Sequence, residues 1–483
     1  MHVIEVIRRD VLSKFTGEVL SRALFLLFFF YVARMLGATD FGVLNLAIST
    51  TYILGVLCLD PGLNLSTVQI LAGDPSDSHE RVAGTVLCMK FLLFIPFLLV
   101  LLALSRAFGS RLPSLPVLLS ASMFALLTAV FEYLCSLTNA YHRMDLEAGL
   151  KIFNRLCIVL LGLFALAVGR VNAVLLAMWS ATFLSCVMAF FVLRSKLLRI
   201  KFRWNRRVAG HVLKAGLPIA GTLIVGTIYL KWDLLVLSYF NIGKQQIGWY
   251  AGAFKIVEAL SALPTLLGAA LFPIIVQLRA QNPSVLDRLL LATVKTVLLF
   301  SIPIAAAISI SSSRIIGLVY GQSYVPGATV LAVLIWCIVP IFVYFYLMFV
   351  NVAAGYAKAN LLAGSVALVV GLLANVTLVP RIGYVGAAWS ALAANSCFAI
   401  LATWKVCTLF ANARIPGMLA KLLVAGLLMG AVGLYAPVSL SVQLGLGLLV
   451  YVVALLLSRA IGPEDFSLLA RMLQARIQPQ TQT

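Results

Sequence analysis

With 483 residues, of which 62% are hydrophobic and only 11% charged, the chain lies far from a soluble composition of about a quarter charged residues. Its formal charge of +20 comes from 36 basic and 16 acidic residues. The placement of the basic ones decides whether that excess speaks for a nucleic acid or for a membrane.

A helix needs about 20 apolar residues to cross a hydrocarbon core about 30 Å thick. Stretches of that length are predicted near residues 16–36, 40–60, 82–104, 116–138, 150–168, 172–193, 212–240, 247–275, 288–310, 326–350, 360–379, 384–408, 416–436 and 441–458. They are continuously apolar rather than alternating over about ten residues, so they read as helices and not as barrel strands. The first exceeds the apolar core of a signal peptide and no small-x-small cleavage site follows it, so it reads as a retained helix. The predicted fold class is an all-α integral membrane protein of about 14 transmembrane helices.

With a cytoplasmic N-terminus, 25 of the basic residues fall in cytoplasmic segments, Lys151 and Arg155 among them. Eight fall outside, and Arg22, Lys90 and Lys255 lie within spans. That bias is what the positive-inside rule predicts, so topology accounts for the net charge and no nucleic-acid partner is required. Both termini are then cytoplasmic. The eight cysteines sit in or at the ends of spans without a C-x-x-C pair and read as small apolar residues.

The largest interruption, Arg194 to Lys214, is basic with interleaved Leu, Ile, Phe and Trp, and is expected to lie on the anionic inner leaflet as an amphipathic linker. It separates two blocks of six spans that show self-similarity. Gly37-Ala-Thr-Asp-Phe41-Gly42 with Ala47 is echoed 206 residues later by Gly243-Lys-Gln-Gln-Ile247-Gly248 with Ala253. Trp179-Ser180-Ala181 and Ser185-Cys186 are echoed by Trp389-Ser390-Ala391 and Ser396-Cys397. Six is even, so the copies share an orientation and form a parallel repeat, an arrangement that commonly encloses a central site and works by rocking. The expected organisation is an N-terminal lobe over residues 1–193, the linker over 194–214, a second lobe over 212–410, two further spans within 411–460 and a cytoplasmic tail over 461–483.

No P-loop, dinucleotide fingerprint or nucleophile elbow is present, and no histidine has a partner at metal spacing. Neither a cofactor nor a metal is expected. Uphill transport would have to draw on an H⁺ or Na⁺ gradient or on consumption of the substrate at the far side.

The stretch Ala33-Arg34-Met35-Leu36-Gly37-Ala38-Thr39-Asp40-Phe41-Gly42 resembles the opening of the polysaccharide transporters, the O-antigen flippase branch of the multidrug/oligosaccharidyl-lipid/polysaccharide (MOP) exporter superfamily. Gly248 to Ile256, Leu271-Phe-Pro-Ile-Ile275 and Ile316 to Pro326 agree with the family in kind and order. The resemblance implies a MOP flippase fold of two lobes plus two C-terminal helices. It implies movement of a polyprenyl-diphosphate-linked oligosaccharide, as in O-antigen or lipopolysaccharide assembly, across a bacterial inner membrane. A polysaccharide polymerase and a chain-length regulator are candidate partners beside the membrane lipids.

Charges inside spans are costly and commonly face a cavity or a partner, so they are the candidate substrate-binding residues; no catalytic residue is expected. Arg22 has Glu18 four residues earlier on the same face. Lys90 and Glu132 lie about 10 Å in from their helix ends with no local counter-charge; the plainer alternative is that they pair with each other. Lys231 and Asp233 flank Trp232 in the seventh span, as an interfacial anchor or a cavity wall. Lys255 and Glu258 share one face of the eighth, where Lys255 would meet phosphate and Glu258 a sugar hydroxyl or a coupling proton.

Two other functions compete. A multidrug or cation antiporter of the same superfamily usually has twelve spans, and the basic tilt of the buried charges argues against a cation as substrate. A membrane polymerase or acyltransferase acting on lipid-linked glycans would need a long exterior loop or a catalytic constellation, and the loops here are short.

Overall fold

The computed structural model describes residues 2–73, 79–167, 169–198, 200–281, 283–409, 415–435 and 440–458; the expected tail over 461–483 lies outside them. All regular elements among the described residues are helices. They are α1 (His2–Cys58), α2 (Leu63–Gly73), α3 (His79–Phe108), α4 (Leu115–Ala140), α5 (Met144–Leu166), α6 (Val171–Lys196), α7 (Arg206–Tyr239), α8 (Lys244–Leu260), α9 (Ala262–Gln281), α10 (Pro283–Ile310), α11 (Ser312–Tyr320), α12 (Ala328–Leu334), α13 (Ile338–Ala353), α14 (Ala357–Ile382), α15 (Tyr384–Leu409), α16 (Ile415–Tyr435) and α17 (Leu440–Leu457).

Among the described residues nine helices are long and apolar enough to cross a membrane, or ten if the bent α7 counts as one span. The count differs from the stretches expected because α1 runs through two of them, others are broken, and the apolar helices at Ala420–Ala431 and Val442–Leu457 are short among the described residues. The 57 residues of α1 would extend about 85 Å as one straight rod, nearly three bilayer cores. They do not, because Gly37 interrupts the helix at φ 77° and ψ 170°, a conformation open in practice only to glycine. The break falls between the first two expected spans. The stretch 247–275 is divided at Ser261 into α8 and α9. Helix α7 bends by 48° between Gly221 and Leu223, one turn after Pro218, whose ring removes a helix hydrogen bond. The short helices α2 and α11 had no counterpart among the expected elements.

The chain divides into two compact units, Met1–Lys255 with Val319–Tyr324 and Asn375–Ala387, and Ile256–Leu318 with Val325–Ala374 and Ala388–Thr483. In the first, α1 packs on α5 and α7, and α4 on α6. Gly162 of α5 lets the Phe28 ring of α1 lie directly on its backbone. In the second, α13 packs on α9 and α10, and α16 on α10 and α17, with the Tyr344 and Phe398 rings stacked at 4.3 Å. Large apolar side chains such as Phe164, at 77% exposure, and Leu362, at 67%, point away from the protein. A water-facing surface would not carry so many; a lipid-facing one must.

Within the first unit the two copies of the glycine motif meet. A Cβ on Gly42 would lie 2.0 Å from the Lys244 carbonyl oxygen, and a Cβ on Gly248 would lie 1.8 Å from the Ala38 carbonyl oxygen. Ala38 and Lys244 are repeat equivalents, as are Gly42 and Gly248, so each copy offers its glycine to the other copy's backbone. Reciprocal contact of equivalent residues is the mark of a local two-fold axis. Helix approach this close requires residues without a side chain. Beside the crossing, the hydroxyl of Tyr324 donates to the Ala33 carbonyl at 2.9 Å and that of Tyr320 to the Gly252 carbonyl at 2.8 Å. Lys244 Nζ and Ser238 Oγ both donate to the carbonyl of Arg111, and burial there lowers the Lys244 ammonium below its ordinary pKa.

Gly248→Ala is expected to destabilise the protein by about 1–3 kcal/mol, because a backbone carbonyl cannot rotate away from the added methyl. Gly210→Ala, at an exposed helical position with nothing within 4 Å, should leave stability unchanged or slightly raised. Melting temperatures of the two purified variants in detergent check this.

Candidate functional site

A small cavity opens within the first unit, lined by Asn45 and Ser49 of α1, by Leu230, Lys231, Asp233 and Leu234 of α7, and by Tyr250, Ala251, Phe254 and Lys255 of α8. Helical spacing selects these residues: 45 and 49, 230 and 234, 250 and 254, and 251 and 255 are each four apart and share a face. The wall is therefore built from both halves of the duplicated chain, and the glycine crossing sets the distance between α1 and α8 behind it.

The carboxylate of Asp233 is engaged on both oxygens. Tyr250 Oη donates to Oδ2 at 2.6 Å, and Asn375 Nδ2 of α14 donates to Oδ1 at 2.8 Å. Bonds of this kind hold a charge inside a membrane protein without requiring a cation beside it. The two lysines lie over aromatic faces, Lys231 Nζ 5.4 Å from the Phe254 ring centre and Lys255 Nζ 4.7 Å from that of Phe29. Cation–π contact restrains an ammonium within an apolar setting. Three of the seven candidate residues, Lys231, Asp233 and Lys255, thus converge on one cavity.

The other four lie apart from it. Glu258 follows Lys255 by one turn of α8 and does not line the cavity; its carbonyl accepts from Ser261 Oγ at 2.8 Å. Arg22 is exposed on α1, and the expected Glu18–Arg22 pair lies outside the described residues. Lys90 is fully buried, 3.7 Å from Asp60 Oδ1, with its ammonium donating to the Leu59 carbonyl at 3.2 Å and 5.5 Å from the Tyr133 ring centre. Glu132 stands 4.0 Å from Lys151, which in turn lies 2.9 Å from Glu147. Lys90 and Glu132 therefore take separate partners instead of pairing with each other. Lys151 and Arg155, expected in a cytoplasmic segment, are found two and three turns into α5, with the Arg155 guanidinium 4.0 Å from the Phe25 ring centre.

Sequence reasoning missed Asp60, Tyr250, Asn375, Asn45 and Ser49. Asn375 carried a usable signal, being an amide in the middle of an apolar run, which is costly unless bonded. Asp60 did not: in Asp60-Pro61-Gly62 it reads as an ordinary turn residue.

The family described as polysaccharide biosynthesis protein matches residues 7–279, more than half of the chain. The chain belongs to that family. No curated protein sequence matches it. Among solved structures it is similar to the lipid II flippase MurJ in an inward closed conformation, at 16% identity and a TM-score of 0.71, covering 93% of this chain and 98% of that one. It is also similar to an inward-facing multidrug resistance MATE family transporter of the MOP superfamily, at 15% identity and a TM-score of 0.65, covering 81% and 95%. A MOP superfamily transporter from Pyrococcus furiosus, described as having a binding pocket of reverse polarity, matches at 15% identity and a TM-score of 0.54, covering 83% and 97%. The chain thus has the helical fold of these MOP transporters, and its apolar helices are those of a multi-pass membrane protein.

Removing one member of the Lys90–Asp60 pair leaves a charge inside the protein, and Lys90→Met is expected to cost about 3–5 kcal/mol. Adding Asp60→Asn removes the orphaned carboxylate and should recover part of that loss, so a double-mutant cycle on unfolding in micelles yields a coupling energy well above zero.

Proposed function

We propose that the protein is a flippase that carries a polyprenyl-diphosphate-linked oligosaccharide, an O-antigen or other surface polysaccharide repeat unit, from the cytoplasmic to the outer leaflet of a bacterial inner membrane by alternating access. The observation that carries the proposal is the composition of the cavity wall, where Lys231 and Lys255 stand with Asn45, Ser49, Tyr250 and one carboxylate, Asp233, that Tyr250 and Asn375 hydrogen-bond. Two cations to one carboxylate among the lining residues suit an anionic headgroup.

The physics of the task matches these groups. Each sugar hydroxyl stripped of water without a partner costs several kcal/mol in hydrocarbon. A wall holding Asn45, Ser49 and Tyr250 between the lysines offers donors and acceptors in place of water, while the polyprenyl tail remains in lipid. The diphosphate needs cations, and lysines held by ring faces supply them. Membership in a polysaccharide biosynthesis family supports a glycan cargo over a drug cation, and the cationic wall does so independently. Both termini are cytoplasmic in this reading, and turnover draws on an H⁺ or Na⁺ gradient or on removal of the lifted unit outside. A polysaccharide polymerase and its chain-length regulator would then be the neighbouring machinery.

The protein reconstituted in liposomes with a lipid-linked oligosaccharide labelled in one leaflet should speed its exposure to an added glycosidase. No acceleration over empty liposomes, across sugars and chain lengths, contradicts the proposal. Lys231→Ala and Lys255→Ala each remove a charge-assisted contact of about 1.5–3 kcal/mol, so each should lower the rate roughly tenfold or more per folded molecule.

A further inference from the structure

Between α6 and α7 the chain leaves the helical register, and residues 200–205 form a strap without helix. Its backbone is fixed. A Cβ on Gly84 of α3 would lie 1.8 Å from the Lys201 carbonyl oxygen, Thr85 Oγ donates to the Arg203 carbonyl at 3.0 Å, and Lys201 Nζ lies 2.5 Å from Glu80 Oε2. Asn205 then caps α7, its side-chain oxygen accepting from the backbone N–H groups of Arg207 at 3.0 Å and Val208 at 3.2 Å.

A backbone held so firmly leaves its side chains outside. Phe202 is 59% exposed and Trp204 53%, and Lys201, Arg203, Arg206 and Arg207 are exposed between and beside them. The strap lies where α6 ends at Lys196 and α7 begins at Arg206, the level of helix ends at which a membrane protein meets the headgroup layer. The Phe202 ring stacks on Phe190 of α6 at 6.1 Å and still keeps most of its surface open, as does Trp204. Two such rings would be a liability in water, and among the described residues Glu80 alone pairs with these cations, at Lys201, which leaves the three arginines to anions.

We infer that this strap is a docking surface for anionic phospholipid headgroups. Arg203, Arg206 and Arg207 contact the phosphates, and Phe202 and Trp204 insert at the boundary with the acyl chains. A soluble acidic protein would satisfy the cations, but it would not account for rings displayed at the level of the helix ends. The expected linker therefore binds lipid as a pinned, extended strap. Because the strap is clamped to α3 and caps α7, bound lipid fixes the junction between the two halves of the repeat.

The test places the full chain in bilayers containing brominated phosphatidylglycerol or brominated phosphatidylcholine at low mole fraction. The fluorescence of Trp204 is isolated as the difference between the wild type and Trp204→Phe. The expected result is stronger quenching by the anionic lipid, a preference lost in Arg206→Gln/Arg207→Gln and weakened by salt. Among the described residues neither side chain makes a hydrogen bond or ion pair within the protein, and an unchanged melting temperature shows that the variant is folded. Equal quenching by both lipids, a preference that survives the double substitution, or quenching by aqueous iodide in place of lipid would each overturn the inference. The readout involves no substrate, so it fails or succeeds independently of the flippase proposal.

Discussion

Everything described in the first unit depends on one close approach, the backbone of α1 against the backbone of α8 at Gly42 and Gly248. Two helices that carried side chains at this point would stand several ångströms further apart. The cavity wall is assembled from the same two helices and α7, so its width follows from an absence of side-chain atoms at two positions. The reciprocity of the contact also accounts for the 206-residue echo in the sequence. A duplicated chain that meets itself on a two-fold axis must use the same residues twice, and a glycine required in one copy is required in the other.

The charges inside the membrane then separate by what surrounds them. Lys90 and Asp60 satisfy each other, and Glu132, Lys151 and Glu147 form a line of alternating sign from α4 to α5. Such arrangements compensate charge by contact within the fold. At the cavity the order is different. Tyr250 and Asn375 hold the carboxylate of Asp233, the two lysines lie over the rings of Phe254 and Phe29, and all three charged residues face one cavity.

Much of this was legible in the sequence because lipid imposes a simple rule. Apolar runs of spanning length gave the helices, and the few charges interrupting them included Lys231, Asp233 and Lys255, three residues that converge in space. Their hydrogen-bonding partners were not legible. Asn375 reaches Asp233 across 142 positions, and nothing in either local pattern encodes that pairing. Lys151 and Arg155 count with a cytoplasmic segment in the charge pattern although the expected span begins at 150; the helix that carries them begins at Met144, and Lys151 pairs there with Glu147. The breaks at Gly37 and Ser261 were half visible: the glycine motif marked the first, whereas nothing in the apolar run from 247 to 275 marked the second.

The most direct measurement of the central claim is where the headgroup binds. A polyprenyl-diphosphate oligosaccharide bearing a photoreactive group beside the diphosphate, crosslinked to the protein in membranes and mapped by peptide mass spectrometry, should label α7 and α8 between residues 230 and 255. Labelling should fall when excess unmodified lipid-linked oligosaccharide competes. Crosslinks confined to other helices, or labelling of this segment that no competitor displaces, would contradict the assignment of the cavity.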